Sequence, residues 1–328
     1  MVEIKKIVTL LTICSIGLIA ETKSVSEDDV KFIFNIGVKS QNYDMKVDNN
    51  IFESDSEGVN LYNLNFKLNV YDSDILEFSK YGSLKGSDTQ DELLTYYQEN
   101  QKNSFYDGYY LTVQLFSLYS YLVGNNGYNS GVDFIFDYKK DTYINGITTT
   151  SNTVYGVTEY NTGSKFQVKS NTETYRVGSY VRLGDFDVST YFYKESLNRP
   201  TYTGFHSSTH NYIDNAQIDT YGFYQKFKWH YLLDKAKLHA MLGWNYGFKS
   251  NIKFYNKDKF DFDAEEVGFN LDLGGDYRLF KTQYVDAFLN FNAYYETKMY
   301  AFENTLNNGK YDFRDDFYGG SLNLKFIF

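Results

Sequence analysis

The sequence predicts an all-β protein: a transmembrane, antiparallel, up-and-down β-barrel of about twelve strands, with ten or fourteen as the alternatives. Apolar and polar residues alternate at period two in segment after segment, while helical periodicity is largely missing. The connections between these segments alternate strictly between short and long. The chain also carries 34 Tyr and 28 Phe yet has a mean hydropathy of −0.49. Acidic disordered chains are poor in aromatics, and a spanning helix needs about 20 consecutive apolar residues. Composition therefore excludes disorder and a helical membrane bundle. The net charge of −10 argues against a nucleic-acid partner.

Taken in order, the alternating segments are 30–39, 62–70, 75–83, 109–122, 130–140, 172–183, 186–196, 217–231, 236–248, 267–279, 285–295 and 317–328. In 62–70, Tyr62, Leu64, Phe66, Leu68 and Val70 share one face and Asn63, Asn65, Lys67 and Asn69 the other. Segment 267–279 sets Val267, Phe269, Leu271 and Leu273 against Gly268, Asn270, Asp272 and Gly274. The weakest segment is 75–83, where Lys80 interrupts the face begun by Leu76 and Phe78; an even strand number requires it. Short turns fall at 71–74, 124–127, 184–185, 232–235 and 280–283. Long polar connections fall at 40–58, 84–106, 141–170, 197–216, 250–265 and 300–316. A soluble sandwich would need an apolar interior, whereas here the second face is polar throughout and suits a water-filled lumen.

The N-terminus is read as an export signal. Lys5 and Lys6 precede an apolar run from Ile7 to Ile19, with Ala20 as the cleavage point. Residues 1–20 form this signal and 21–328 a single barrel domain. Ile13 stands where a lipidation signal before Cys14 needs a small residue. Cleavage removes the only cysteine, which excludes disulfides, cysteine-ligated zinc and a thiol nucleophile.

The chain ends Tyr318-Gly-Gly-Ser-Leu322-Asn-Leu324-Lys-Phe326-Ile-Phe328. This resembles the C-terminal signature of Gram-negative outer-membrane β-barrel proteins: a terminal aromatic, apolar residues at alternate positions, and an aromatic ten positions upstream. The resemblance implies that Tyr318, Leu322, Leu324, Phe326 and Phe328 form the assembly signal. It implies as partners the barrel-assembly machinery and periplasmic chaperones during biogenesis, then outer-membrane lipid and lipopolysaccharide. It places both termini and the short turns in the periplasm and the long loops outside. It also assigns the aromatics to two girdles: Tyr121, Phe186, Trp229, Tyr231, Tyr277, Phe326 and Phe328 near the periplasm, and Tyr109, Tyr175, Phe192, Tyr221, Phe223, Trp244, Tyr246, Phe248 and Tyr318 toward the outside. No motif of one named family is present.

The inward positions carry both signs of charge. The candidate pore-lining residues are Lys67, Asp133, Asp137, Arg176, Arg182, Lys226, Lys228, Asp272, Asp276, Arg278, Asp286, Glu296 and Lys325, with Asp187 and Lys298 on the same face. Opposed rows of charge bias ion selectivity; the competing reading is a salt-bridge network that fills the lumen. Gly178, Gly243, Gly268 and Gly274 also face inward and leave room there. Acidic stretches at Glu53–Glu57, Asp258–Glu266 and Asp312–Asp316 read as solvated loop charge, without the spacing of a calcium loop. Residues 87–100 read as a short helix capped by Ser87 or Asp88. His206-Ser-Ser-Thr-His210 has the residue types of a hydrolase, but lies in a polar loop. No cofactor or metal motif is present. The expected function is a narrow passive channel for ions or small hydrophilic solutes. The alternative is a closed barrel acting as a surface adhesin or receptor through its loops, and an enzyme comes third.

Overall fold

The computed structural model describes residues 30–47, 52–55, 58–70, 73–84, 94–96, 105–122, 132–155, 158–206, 211–254, 261–304 and 309–328. The expected export signal, most of the expected 87–100 helix and residues 207–210 lie outside them. In chain order the strands are β1 (Val30–Val47), β2 (Phe52–Asp55), β3 (Val59–Val70), β4 (Ser73–Ser83), β5 (Leu94–Tyr96), β6 (Phe105–Gln114), β7 (Val132–Thr149), β8 (Thr153–Tyr155), β9 (Thr158–Tyr160), β10 (Lys165–Leu183), β11 (Phe186–His206), β12 (Asn211–Leu232), β13 (Ala236–Phe254), β14 (Asp261–Lys281), β15 (Asp286–Asn304) and β16 (Gly309–Ile327). Among the described residues one helix, α1 (Leu115–Leu122), follows β6.

All of these strands but β2, β5, β8 and β9 form one closed, antiparallel, twelve-stranded barrel in which each pairs with its sequence neighbours. The last strand closes on the first: Phe326 lies opposite Phe34 and Leu322 opposite Val38. Phe328 exchanges both backbone bonds with Phe32, at 2.9 and 3.2 Å. Closure leaves no open sheet edge for lipid to meet. The hairpin between β10 and β11 turns on Gly184, whose φ of 63° is the left-handed value a two-residue hairpin turn requires. The weak segment 75–83 is a wall strand, and its outward Lys80 pairs with Asp107 at 2.6 Å.

Three expectations need correction. Segment 109–122 is a strand only to Gln114, and the rest is α1. The carboxylate of Asp133 draws the chain out of the sheet there by accepting the backbone N–H groups of Phe116 and Ser117 at 2.9 Å, together with the Ser117 hydroxyl. Tyr121 accordingly sits on a helix. Within the expected 87–100 helix, Leu94–Tyr96 instead pair with Phe166–Val168 of β10, above the level where β10 and β11 first pair at Asn171 and Asn198. The free backbone groups on that edge recruit them. Finally, the described residues of the long connections are mostly sheet: β12 runs 22 residues and β14 runs 21. About 9–11 residues suffice to cross a bilayer, so the upper part of the barrel stands outside the membrane.

Candidate functional site

Parity is kept along most strands, with bulges shifting it on β13 near Gly247–Ser250 and at the foot of β4, but the chemistry of the two faces changes with height. Low on the barrel the outward residues are apolar and exposed: Phe34, Ile36 and Val38 on β1, Leu273 and Val267 on β14, Leu322 and Leu324 on β16. Aromatics border this belt as expected, with Trp229, Tyr231 and Tyr277 below and Tyr175, Phe192, Tyr221, Tyr246 and Tyr318 above. Two positions higher the outward residue becomes polar: Glu173 follows Tyr175, Lys194 follows Phe192, Asp219 follows Tyr221 and Asp316 follows Tyr318. A closed barrel with an apolar exterior of this kind is stable only with lipid around it.

The inward face does the reverse. In the lower and middle barrel it is polar and surrounds two adjoining cavities, a periplasmic vestibule of about 710 Å³ and a mid-lumen space of about 480 Å³. Above them every wall strand sends apolar side chains into one buried core, including Tyr43 and Met45 (β1), Leu61 (β3), Tyr81 (β4), Tyr106 (β6), Ile147 (β7), Phe166 (β10), Leu197 (β11), Ile218 (β12), Ile252 (β13), Ala264 (β14), Tyr300 (β15) and Phe313 and Phe317 (β16). Tyr43 stacks on Phe317 at 4.5 Å and Tyr300 on Phe313 at 4.5 Å. Tyr81, Tyr106, Tyr143, Leu197, Tyr300 and Phe317 form the ceiling of the mid-lumen space.

Polar struts cross this upper lumen between strands that are not sheet neighbours. Lys298 of β15 reaches Glu195 of β11 at 2.5 Å, and Tyr300 donates to the same carboxylate at 2.9 Å. Tyr193 of β11 donates to Glu266 of β14 at 3.0 Å. Arg199 of β11, fully buried, pairs with Asp315 of β16, while Tyr43 donates to Asp315 at 3.0 Å. The Arg199 guanidinium lies 4.5 Å over the Phe313 ring. The bonds made by Glu195, Tyr193 and Arg199 of β11 fix one wall against the other, so the upper barrel is braced as well as filled.

Of the thirteen inward residues singled out in the sequence, ten line the two cavities: Lys67, Arg176, Lys226, Lys228, Asp272 and Glu296 the mid-lumen, and Arg182, Asp276, Arg278 and Lys325 the vestibule. The other three lie elsewhere. Asp133 holds the N-terminus of α1, Asp137 is buried with neither oxygen hydrogen-bonded, and Asp286 sits at the periplasmic rim beside Lys281. Much of the lining is paired: Lys67 with Asp74 and Glu77 at 2.8 and 3.2 Å, Arg182 with Asp187 at 3.0 Å, and Lys325 with Asp276 at 2.7 Å. Lys139 joins Asp141 and Glu296 at 3.0 and 3.6 Å.

The inward glycines do not leave open space. A Cβ at Gly243 would stand 1.9 Å from Asn270 Oδ1, and one at Gly268 would stand 2.0 Å from Asn245 Oδ1. Neighbouring side chains have taken the room. The acidic stretches at 258–266 and 312–316 are also not simply solvated loop, because Glu266, Asp315 and Asp316 are buried on strands. Glu195, Arg199, Glu266 and Asp315 were missed as interior groups. Extending each strand's parity upward in steps of two, from Asp187 to Glu195 and Arg199, from Asp272 to Glu266 and from Lys325 to Asp315, places them inside.

These features define an outer-membrane β-barrel. No protein-family model matches the chain, and no curated protein sequence matches it significantly. Among solved structures, a FadL homologue of Pseudomonas aeruginosa is 10% identical, covering 92% of this chain and 90% of its own, with a TM-score of 0.37. The translocator domain of the autotransporter NalP from Neisseria meningitidis is 11% identical, with coverages of 97% and 95% and a TM-score of 0.39. The outer membrane protease OmpT from Escherichia coli is 8% identical, with coverages of 94% and 99% and a TM-score of 0.31. Likeness at this level transfers no activity to this chain.

Proposed function

We propose that this outer-membrane barrel is closed toward the exterior and works from its outer end, as a receptor or adhesin that presents its loops on a rigid extracellular pedestal. The carrying observation is the buried core to which all twelve wall strands contribute, braced by Arg199–Asp315 and Lys298–Glu195. Polar outer faces on the projecting strands fit a pedestal standing in water, and the apolar interior gives it the rigidity of a soluble domain. Residues 1–20 serve as the export signal in this reading. Lipid and lipopolysaccharide surround the belt, the assembly machinery and periplasmic chaperones handle the chain on its way in, and no catalysis is assigned.

The narrow channel for ions or small hydrophilic solutes is the second reading, favoured by the charged cavities that run from the periplasmic rim to mid-lumen. It needs the upper core to part. Planar-bilayer recording on the refolded full chain separates the two. The closed reading expects no conductance steps from the wild type, and steps from a variant with Tyr43, Tyr300 and Phe317 all replaced by serine. Discrete steps from the wild type would sink the closed reading and restore the channel.

A further inference from the structure

We infer that the mid-lumen holds a site for a small anion, a carboxylate or an oxyanion such as phosphate, built by Arg176, Lys226 and Lys228 on the wall formed by β10, β11 and β12. Unlike the paired charges around them, these three have no carboxylate oxygen within salt-bridge distance among the described residues. Aromatic faces hold two of them instead. The Arg176 guanidinium lies 4.3 Å over the Tyr224 ring, and the Lys226 ammonium lies 5.7 Å from the Tyr191 ring. The two rings are themselves 5.7 Å apart, which makes a continuous stack from Arg176 down to Lys226. A ring face offsets charge but accepts no strong hydrogen bond. The N–H donors are therefore left over, and Arg176 Nε is buried with no partner at all.

Local charge points the same way. The carboxylates acting on the cluster are Asp137, across the strand pair from Arg176, the Asp74 and Glu77 that hold Lys67, and Glu296, which Lys139 and Lys298 approach at 3.6 and 3.8 Å. Asp137 is 1% exposed and lines neither cavity, so it offsets charge without occupying the site. Asp74, Glu77 and Glu296 are each paired with a lysine outside the trio, so none of them caps the three cations. A planar guanidinium with free donors is suited to a carboxylate or phosphate edge.

There is room and a route. Lys226 and Lys228 line both cavities, at the junction of the 480 Å³ and 710 Å³ spaces, within the usual size range of small-molecule sites. The lower space reaches the periplasmic turn at Asp234 and Lys235, so an anion enters from the periplasm whether or not the outer end is sealed.

Calorimetric titration of the refolded, detergent-solubilised full chain with sodium acetate and sodium phosphate, at constant ionic strength, tests the site. Saturable binding of at least one is expected. Arg176→Gln, Lys226→Gln and Lys228→Gln should each weaken it by about tenfold or more. Lys226→Arg should retain it, and so should Lys325→Gln, whose ammonium is already held by Asp276. Heat-modifiable gel migration identifies variants that have folded; if Arg176→Gln does not fold, the two lysine variants decide. No saturable binding of either anion, or binding unchanged in the lysine variants, overturns the site. That failure leaves the closed-barrel reading standing, just as conductance steps would overturn the closed barrel and leave this site standing.

Discussion

The lower and upper halves of the barrel are made from the same strands in opposite senses. On β16, Leu322 and Leu324 face out and Asn323 and Lys325 face in, whereas higher up Arg314 and Asp316 face out and Phe313 and Phe317 face in. Along β16 neither pleat nor pairing register changes between the two levels. The surrounding medium does. Lipid rewards an apolar exterior and allows a wet interior, because backbone closure alone satisfies the hydrogen bonds. In water the same sheet loses that outer stabilisation and must bury apolar surface inside. The two halves thus differ in what removing a side chain exposes, and the sharpest tests lie where that difference is greatest.

The largest effect is expected in the upper core. Asp315→Ala strands the Arg199 guanidinium in an apolar setting and removes the acceptor of the Tyr43 hydroxyl. Leaving a buried charge without its partner costs about 3–5 kcal/mol. Replacing both members, as Arg199→Met with Asp315→Leu, should come close to neutral by the same reasoning. Urea unfolding of the refolded protein, followed by gel mobility, measures both. If Asp315→Ala unfolds within about 1 kcal/mol of wild type, the upper interior is hydrated and the contrast between the halves fails.

The boundary between the halves can be located with one charge. Leu273→Arg puts a guanidinium in the middle of the lipid-facing belt, where arginine costs about 2–4 kcal/mol. Glu265→Arg, on the same face of the same strand but above Val267, should cost about 0–1 kcal/mol. Equal costs at the two positions would mean that the belt does not end where the outward polarity changes.

Alternation made the barrel legible in the sequence because each strand reports its own two faces without reference to any other. Phe66 against Lys67, or Leu273 against Asp272, needs no tertiary information. The outward aromatics followed from the same parity, and the closing pair of strands from the resemblance carried by Tyr318 to Phe328. The upper core was not legible that way. Met45, Leu61, Ile147 and Phe313 each look like a stray apolar residue in a polar connection, and only closure of the sheet gathers them. Arg199 and Asp315 lie 116 residues apart and belong to strands on opposite walls, so nothing local pairs them. Part of the aromatic excess belongs to this interior, where Tyr43, Tyr81, Tyr106 and Tyr300 pack inward rather than toward lipid.

The smallest effect sits at the periplasmic rim, where parity placed Asp133 in the lumen and the structure gives it a different task. Its carboxylate accepts two backbone N–H groups of the first turn of α1, which is what a helix cap does although the residue comes from β7. Phe116 of that turn meets the lipid-facing Phe134 edge-on at 5.3 Å, so the capped helix lies against the lower border of the belt. Asp133→Ala should cost about 0.5–2 kcal/mol, the range for losing a cap. The loss should be local, because α1 contributes nothing to barrel closure. Hydrogen exchange is the suitable measurement: protection should fall in residues 115–122 while the wall strands keep theirs. Asp133→Asn, which retains one acceptor oxygen, should recover part of the protection. If exchange quickens along β6 and β7 instead, Asp133 braces the barrel wall itself, and the lower half owes more to its inward polar groups than its lipid belt implies.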